Sequence, residues 1–174
     1  MNPGEHQPGR LLIIGGSEDR QDDKAVLEHF VELSGGAGSR IVVITAASNI
    51  GEEVWELYDT AFADLGVKDR APIHIESRAA ANSPAVAAQV AETDGVFILG
   101  GDQKRLLALV GGTALDQAIR AAPVRGACVA GTSAGASAMS AHMLTDGRWP
   151  RRGPTGQGHD RAGRRFRLPA ADHH

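Results

Sequence analysis

Short apolar runs recur along the chain, and the stretches between them are long enough to form helices. The runs are Leu11–Ile14, Arg40–Thr45, Ile73–Ile75, Val96–Leu99 and Ala127–Ala130. They are apolar through most of their length instead of alternating, and several are bounded by glycine, which predicts strands buried on both faces. Between them, Asp22–Leu33 sets Val26, Phe30 and Leu33 on one side of a helix. Glu52–Leu65 repeats the arrangement with Val54, Leu57, Phe62 and Leu65. Pro84–Thr93, with Ser83 before it as a cap, predicts a third helix. Lys104–Val110, Thr113–Arg120 and Ala134–Leu144 predict three more. Buried strands alternating with amphipathic helices imply a mostly parallel sheet covered on both sides, a doubly wound three-layer α/β sandwich.

The pattern stops near Leu144. Residues 146–174 hold seven arginines against three aspartates, with five glycines and no valine, isoleucine or methionine. The expectation is one domain over residues 10–144 followed by a disordered basic tail over 145–174. Such a composition also matches an out-of-frame reading of GC-rich DNA.

Composition narrows the function. The 174 residues are 42% hydrophobic but only 4% aromatic, enough for one domain with a core of small aliphatic side chains. A net charge of −3 argues against a general nucleic-acid binder. The single cysteine rules out a disulfide framework and a cysteine-rich zinc site. The first ten residues do not read as a signal peptide, and no stretch has the length of a membrane span, so the cytoplasm is the expected compartment.

The candidate chemistry lies in Gly131-Thr132-Ser133-Ala134-Gly135, which fits G-x-S-x-G between a strand and a helix. A serine on so sharp a turn is lifted to the carboxyl edge of the sheet, and small residues on either side let strand and helix approach. A second turn, Gly100-Gly101-Asp102-Gln103, closes the Val96–Leu99 strand. A backbone N–H there and the Ala134 N–H could together receive an oxyanion, and Gln103 offers a donor and an acceptor. Asp102 could equally serve only as a helix cap. A third turn, Gly15-Gly16-Ser17-Glu18-Asp19, closes the first strand; Glu18 and Asp19 could meet a cationic substrate or simply begin a helix. It is not G-x-G-x-x-G, and the chain has no Gly-Lys pair for a phosphate loop.

Taken together, GGSEDR, ITAAS, FILGGDQ and GTSAGASAM, in that order across residues 11–144, resemble cyanophycinase, a serine peptidase family that also contains aspartyl dipeptidase. The resemblance implies a class I glutamine amidotransferase-like (flavodoxin-like) fold, incomplete here at its C-terminal side. It implies hydrolysis of cyanophycin, a poly-aspartate carrying arginine on each β-carboxyl, to β-Asp-Arg dipeptides. Ser133 would be the nucleophile, Ala134 with Gly101 or Asp102 the oxyanion hole, and Gln103 a substrate contact. No metal or cofactor is implied. The partner is an arginine- and aspartate-rich peptide polymer, with no nucleic acid and no membrane, and a homodimer is left open.

A serine also needs a base. The family draws its histidine from an Asp-Gln-His-Phe-like segment well downstream, then an acid further on, and this chain offers only a weak echo in Asp172-His173-His174. His174 is therefore the tentative base, although no apolar strand delivers it. His142 lies nine residues after Ser133, on the opposite side of the expected helix about 13 Å along. The expectation is a truncated or frame-shifted peptidase, weakly active or inactive. Three alternatives stay open: a dipeptidase or isopeptidase for other acidic peptides, a non-catalytic binding domain, and a thiol-dependent amidotransferase-like domain. The last is disfavoured because Cys128 falls inside the preceding strand.

Overall fold

A computed structural model describes residues 9–140. The sheet contains β1 (Leu11–Ile14), β2 (Arg40–Ile44), β3 (Asp69–Ile73), β4 (Gly95–Ile98) and β5 (Cys128–Thr132), and its order is β1-β5-β4-β2-β3. Every neighbouring pair is parallel. The helices are α1 (Ala25–Leu33), α2 (Gly51–Asp64), α3 (Arg78–Ala81), α4 (Pro84–Ala91), α5 (Gln103–Val110), α6 (Ala114–Ala121) and α7 (Ala134–Ala138), with one 3-10 turn at Pro123–Arg125.

Strand residues alternate between two cores. On one face Val42, Ile44, Val96, Ile98 and Val129 meet α3 to α7 through Ala81, Val90, Leu106, Leu115, Ile119 and Ala138. On the other, Ile41, Val43, Phe97, Leu99 and Cys128 meet α1 and α2 through Leu27, Phe30, Val31, Tyr58, Ala61 and Phe62. Among the described residues the aromatic rings concentrate on this second face, where Phe30 stands edge-on to Phe97 at 5.1 Å. Three layers follow, as the apolar runs imply.

Register sets the functional edge. Ile44 lies beside both Ile73 and Ile98, Ile98 beside Gly131, and Ile14 beside Thr132. All five strands therefore end level, and the turns that follow them line one rim of the sheet. The helices after β1 and β2 cross one face, whereas those after β3, β4 and β5 cross the other. Crevices open where neighbouring strands send their helices to opposite faces. This occurs between β1 and β5, and on both sides of β2.

Several elements depart from the sequence expectation: α3 was not expected, α7 ends at Ala138 where the helix was expected to run to Leu144, and β3 and α1 are placed differently. The third strand is Asp69–Ile73, not Ile73–Ile75. It is an edge strand, so it tolerates Pro72, which lacks an N–H, and exposed polar residues that hide its periodicity. The first helix begins at Ala25 and not Asp22, because the Asp19 carboxylate gathers the N–H groups of Gln21, Asp22, Asp23 and Lys24 into a preceding turn. At the opposite edge, β1 has β5 as its sole strand neighbour among the described residues and leaves Leu11 and Ile13 47% and 61% exposed. The expected domain end near residue 144 and the tail at 145–174 lie outside the described residues.

Candidate active site

β5 ends at Thr132, and Ser133 turns the chain into α7 with φ 50° and ψ −113°. A non-glycine residue there costs about 1–3 kcal/mol and persists only when its surroundings enforce it. They do: Ser133 N–H donates to Ile14 O at 3.0 Å, and Ser137 N–H donates to Ser133 O at 2.9 Å. The flanking glycines are required by contact. A Cβ on Gly131 would stand 2.5 Å from Gly135 O, and one on Gly135 would stand 2.2 Å from Ile98 O. Helix and strand thus touch through backbone, and Ser133 is left exposed with its Oγ unbonded among the described residues.

Around it lies a groove of about 410 Å³ lined by residues of three turns, including Gly15, Gly101, Gln103, Ser133, Ala134 and Ser137. The structure thus brings Ser133, Ala134, Gly101 and Gln103 together at the β1/β5 crevice. Asp102 stands differently. Its carboxylate accepts the N–H groups of Lys104 and Arg105 at 2.8 and 3.1 Å, capping α5, and its own N–H donates to Ala47 O at 2.8 Å. Of Gly101 and Asp102, only Gly101 then has an N–H to offer the groove. Gly101 has φ +142°, and a Cβ there would meet Ala47 O at 2.3 Å.

Glu18 and Asp19 are not in this groove. Asp19 is engaged by backbone: the N–H of Gln21 and then that of Asp22 hold its carboxyl well below the usual range. Glu18 is only 8% exposed and points inward. Thr132 Oγ1 donates to its Oε2 at 2.6 Å, and the Tyr58 hydroxyl donates to its Oε1. Arg20 stands over the Tyr58 ring at 5.4 Å. This buried group fastens the residue preceding Ser133 to α2. The pairing of Thr132 and Tyr58 with Glu18 was not legible in the sequence, because it joins positions 114 and 40 residues apart, which no local pattern reports.

Burial, and next the hydrogen bond to Glu18, push the Tyr58 phenol well above its ordinary value. A raised folded-state value means the neutral phenol contributes stability below about pH 10, its unfolded value, and loses it as pH rises through the folded one. Tyr58 is the only tyrosine, so ultraviolet absorbance reads it directly. The expected result is no tyrosinate until the chain unfolds; ordinary titration with circular dichroism unchanged would contradict the buried pairing.

Two histidines lie among the described residues, and neither reaches Ser133. His29 is exposed on α1 beside Glu32 at 3.4 Å. His74 follows β3, with β2 and β4 standing between it and β5. His142, His159, His173 and the expected base His174 lie outside the described residues. Cys128 is fully buried, and burial pushes its thiol up to about 11, so it offers no thiolate. No group of three or more His, Cys, Asp or Glu is placed to hold a metal ion among the described residues. No helix there is long and apolar enough to cross a membrane.

A parallel α/β sheet with one serine raised on a strand–helix turn, facing the glycine turn of the next strand, defines a class: domains built around a nucleophile elbow. The Peptidase family S51 profile matches residues 11–155, and the chain belongs to that family. It is 33% identical over 138 residues to cyanophycinase of Geminocystis herdmanii (strain PCC 6308), covering 79% of this chain and 51% of that protein. It is 34% identical over 140 residues to cyanophycinase of Synechococcus elongatus, covering 80% and 44%. The fold superposes on the crystal structure of a peptidase from an acI-B1 Actinobacterium with TM-score 0.67 and 27% identity, covering 79% of this chain and 59% of that one. The chain thus spans about half the length of the curated relatives it matches.

Proposed function

We propose that this chain carries the nucleophile of a serine-type peptidase of the cyanophycinase kind. Ser133 Oγ attacks a backbone carbonyl of an arginine-bearing aspartate polymer, and the peptide C–N bond breaks as the leaving amine takes up the proton lost by the hydroxyl. Water then hydrolyses the acyl-enzyme to release β-Asp-Arg dipeptide and restore Ser133. The N–H groups of Gly101 and Ala134 receive the oxyanion, and Gln103 contacts the substrate. The observation that carries this reading is Ser133 standing unbonded in one groove with Gly101, Gln103 and Ala134, in a chain of Peptidase family S51. Because no described histidine reaches Ser133, hydrolysis by this chain is expected to be weak, with His174 and the other histidines outside residues 9–140 as the remaining sources of a base.

The test is long incubation with purified cyanophycin and mass-spectrometric detection of products. β-Asp-Arg release above the blank, lost in Ser133→Ala, is expected. Release that survives that substitution, or equal cleavage of aspartate peptides lacking arginine, sinks the assignment. A second reading, a binding domain that keeps the groove without catalysis, is favoured by the same lack of a nearby base, and it requires that no release be detected at all.

A further inference from the structure

A second cavity opens on the same rim, around the carboxyl end of β2. It has a volume of about 220 Å³ and is lined by Thr45, Ser48, Glu52, His74, Glu76 and Arg105 among others. Its position has a topological cause. α2 leaves β2 across one face, whereas the helices after β3 and β4 leave across the other, so the end of β2 is a crevice on both sides, the location where parallel sheets bind ligands.

The polar groups here are held in place and only partly partnered. Arg105 donates from Nε to Ala46 O at 3.2 Å, which fixes the guanidinium. Its two terminal nitrogens make no hydrogen bond or ion pair among the described residues. His74 Nδ1 lies 2.8 Å from Thr45 Oγ1. Its Nε2 is buried without a hydrogen bond, 3.4 Å from Glu52 Oε2. A Cβ at Gly51 would stand 2.9 Å from Thr45 Oγ1 and 3.3 Å from His74 Nδ1, so a side chain there would crowd this part of the lining.

Charge decides the ligand. A guanidinium with two free donors fits a carboxylate through paired hydrogen bonds. Yet Glu52, Glu53 and Glu76 share the same cavity, so a simple anion meets more repulsion than attraction, and a simple cation leaves Arg105 without a counterpart. A ligand bearing both charges satisfies both. The volume corresponds to about seven water molecules, or one amino-acid residue.

We propose that this cavity is a recognition subsite for an amino-acid residue carrying a free carboxylate and a basic side chain, the carboxylate on Arg105 and the cation on Glu52 and Glu76. It deepens the peptidase reading, on which its meaning as a subsite rests. β2 lies two strands from β5, so the cavity sits about 10 Å from the nucleophile's strand, some three residues of extended peptide away. The two sites are also joined at the start of α5: Gly101 in the turn before it and Gln103 at its first position line the groove, and Arg105 lines the cavity.

Titration of the ¹⁵N-labelled full chain with Nα-acetyl-L-arginine tests the subsite. Saturable shifts are expected at Ser48, Gly51, Glu76 and Arg105. N-acetylagmatine, without the carboxylate, and Nα-acetyl-L-citrulline, without the cation, should each bind at least about tenfold more weakly, the scale of one lost charge-assisted pair. Arg105→Gln should weaken the acetyl-arginine complex to a similar degree. Glu76→Gln, on an exposed loop, should do the same while leaving the fold untouched. Ser133→Ala should bind as the parent does. Equal response to all three compounds, or no saturable shift, overturns the proposal. Shifts confined to Ser133, Gly101 and Gln103 overturn it too, while leaving the peptidase reading standing. Saturable binding here together with Ser133-independent hydrolysis removes the peptidase reading and spares the binding site.

Discussion

A fluorophosphonate probe is expected to capture Ser133 slowly, at about 10⁶-fold below the rate at a serine backed by an assembled triad, and Ser133→Ala not at all. The elbow supplies exposure and N–H groups at the groove, but it does not remove the hydroxyl proton. At neutral pH that proton makes the serine a poor nucleophile, and a positioned histidine is what changes this. Neither His29 nor His74 is placed to act. A 10⁶-fold loss corresponds to about 8 kcal/mol of barrier, so the difference is between capture in seconds and capture over days. Background labelling is low because Cys128, the one thiol, is buried. Mass spectrometry of the peptide containing Ser133 reads the result. Rapid stoichiometric capture would place an effective base outside residues 9–140, and alanine substitutions at His6, His142, His159, His173 and His174 would then identify it.

How much of this was legible beforehand depended on the range of the interaction concerned. β2, β4 and β5 were visible because each is a run of apolar residues between the two cores, a property that four or five consecutive positions reveal; β1 is an edge strand but is apolar throughout, Leu-Leu-Ile-Ile, and so was visible as well. β3 was misplaced because Asp-Arg-Ala-Pro-Ile sits at an edge, where burial imposes little. The elbow was legible because its constraints act within five residues: backbone contact at Gly131 and Gly135 forces small side chains on both sides of Ser133. Glu18 was read as meeting a cationic substrate or beginning a helix because its sequence neighbours are turn residues. The structure instead turns it toward Thr132 and Tyr58, contacts made across 114 and 40 positions. Asp102 was read with two roles open, and the local one, capping α5, is what its carboxylate performs. The cavity around His74 and Arg105 escaped for a related reason. Its lining comes from the turns after β2, β3 and β4, and no single stretch of sequence contains it.

Gly135→Ala is expected to destabilise the domain by about 3 kcal/mol or more, the upper range for forcing volume into a packed interior. The added methyl would stand 2.2 Å from Ile98 O and 3.0 Å from Leu99 O. Neither oxygen can swing aside as a side chain end would, because both belong to the backbone at the end of β4, which is buried between β2 and β5. Relief requires α7 to lift from the sheet, and this would carry Ser133 with it, since Ser137 N–H is bonded to Ser133 O. Helix propensity works the other way: alanine is favoured over glycine within a helix by about 1 kcal/mol. The sign of the measured change therefore separates contact from propensity. Gly38→Ala is the control, with no atom within 4 Å of the added carbon and no positive φ. Thermal unfolding followed by circular dichroism should show Gly135→Ala melting about 10 °C below the parent, at roughly 3 °C per kcal/mol for a chain of this size. Gly38→Ala should melt at or slightly above the parent. If Gly135→Ala melted with the control, β4 and α7 could not be in backbone contact, and only its hydrogen bonds to Ile14 and Ser137 would then hold Ser133 at φ 50° on the rim of the sheet.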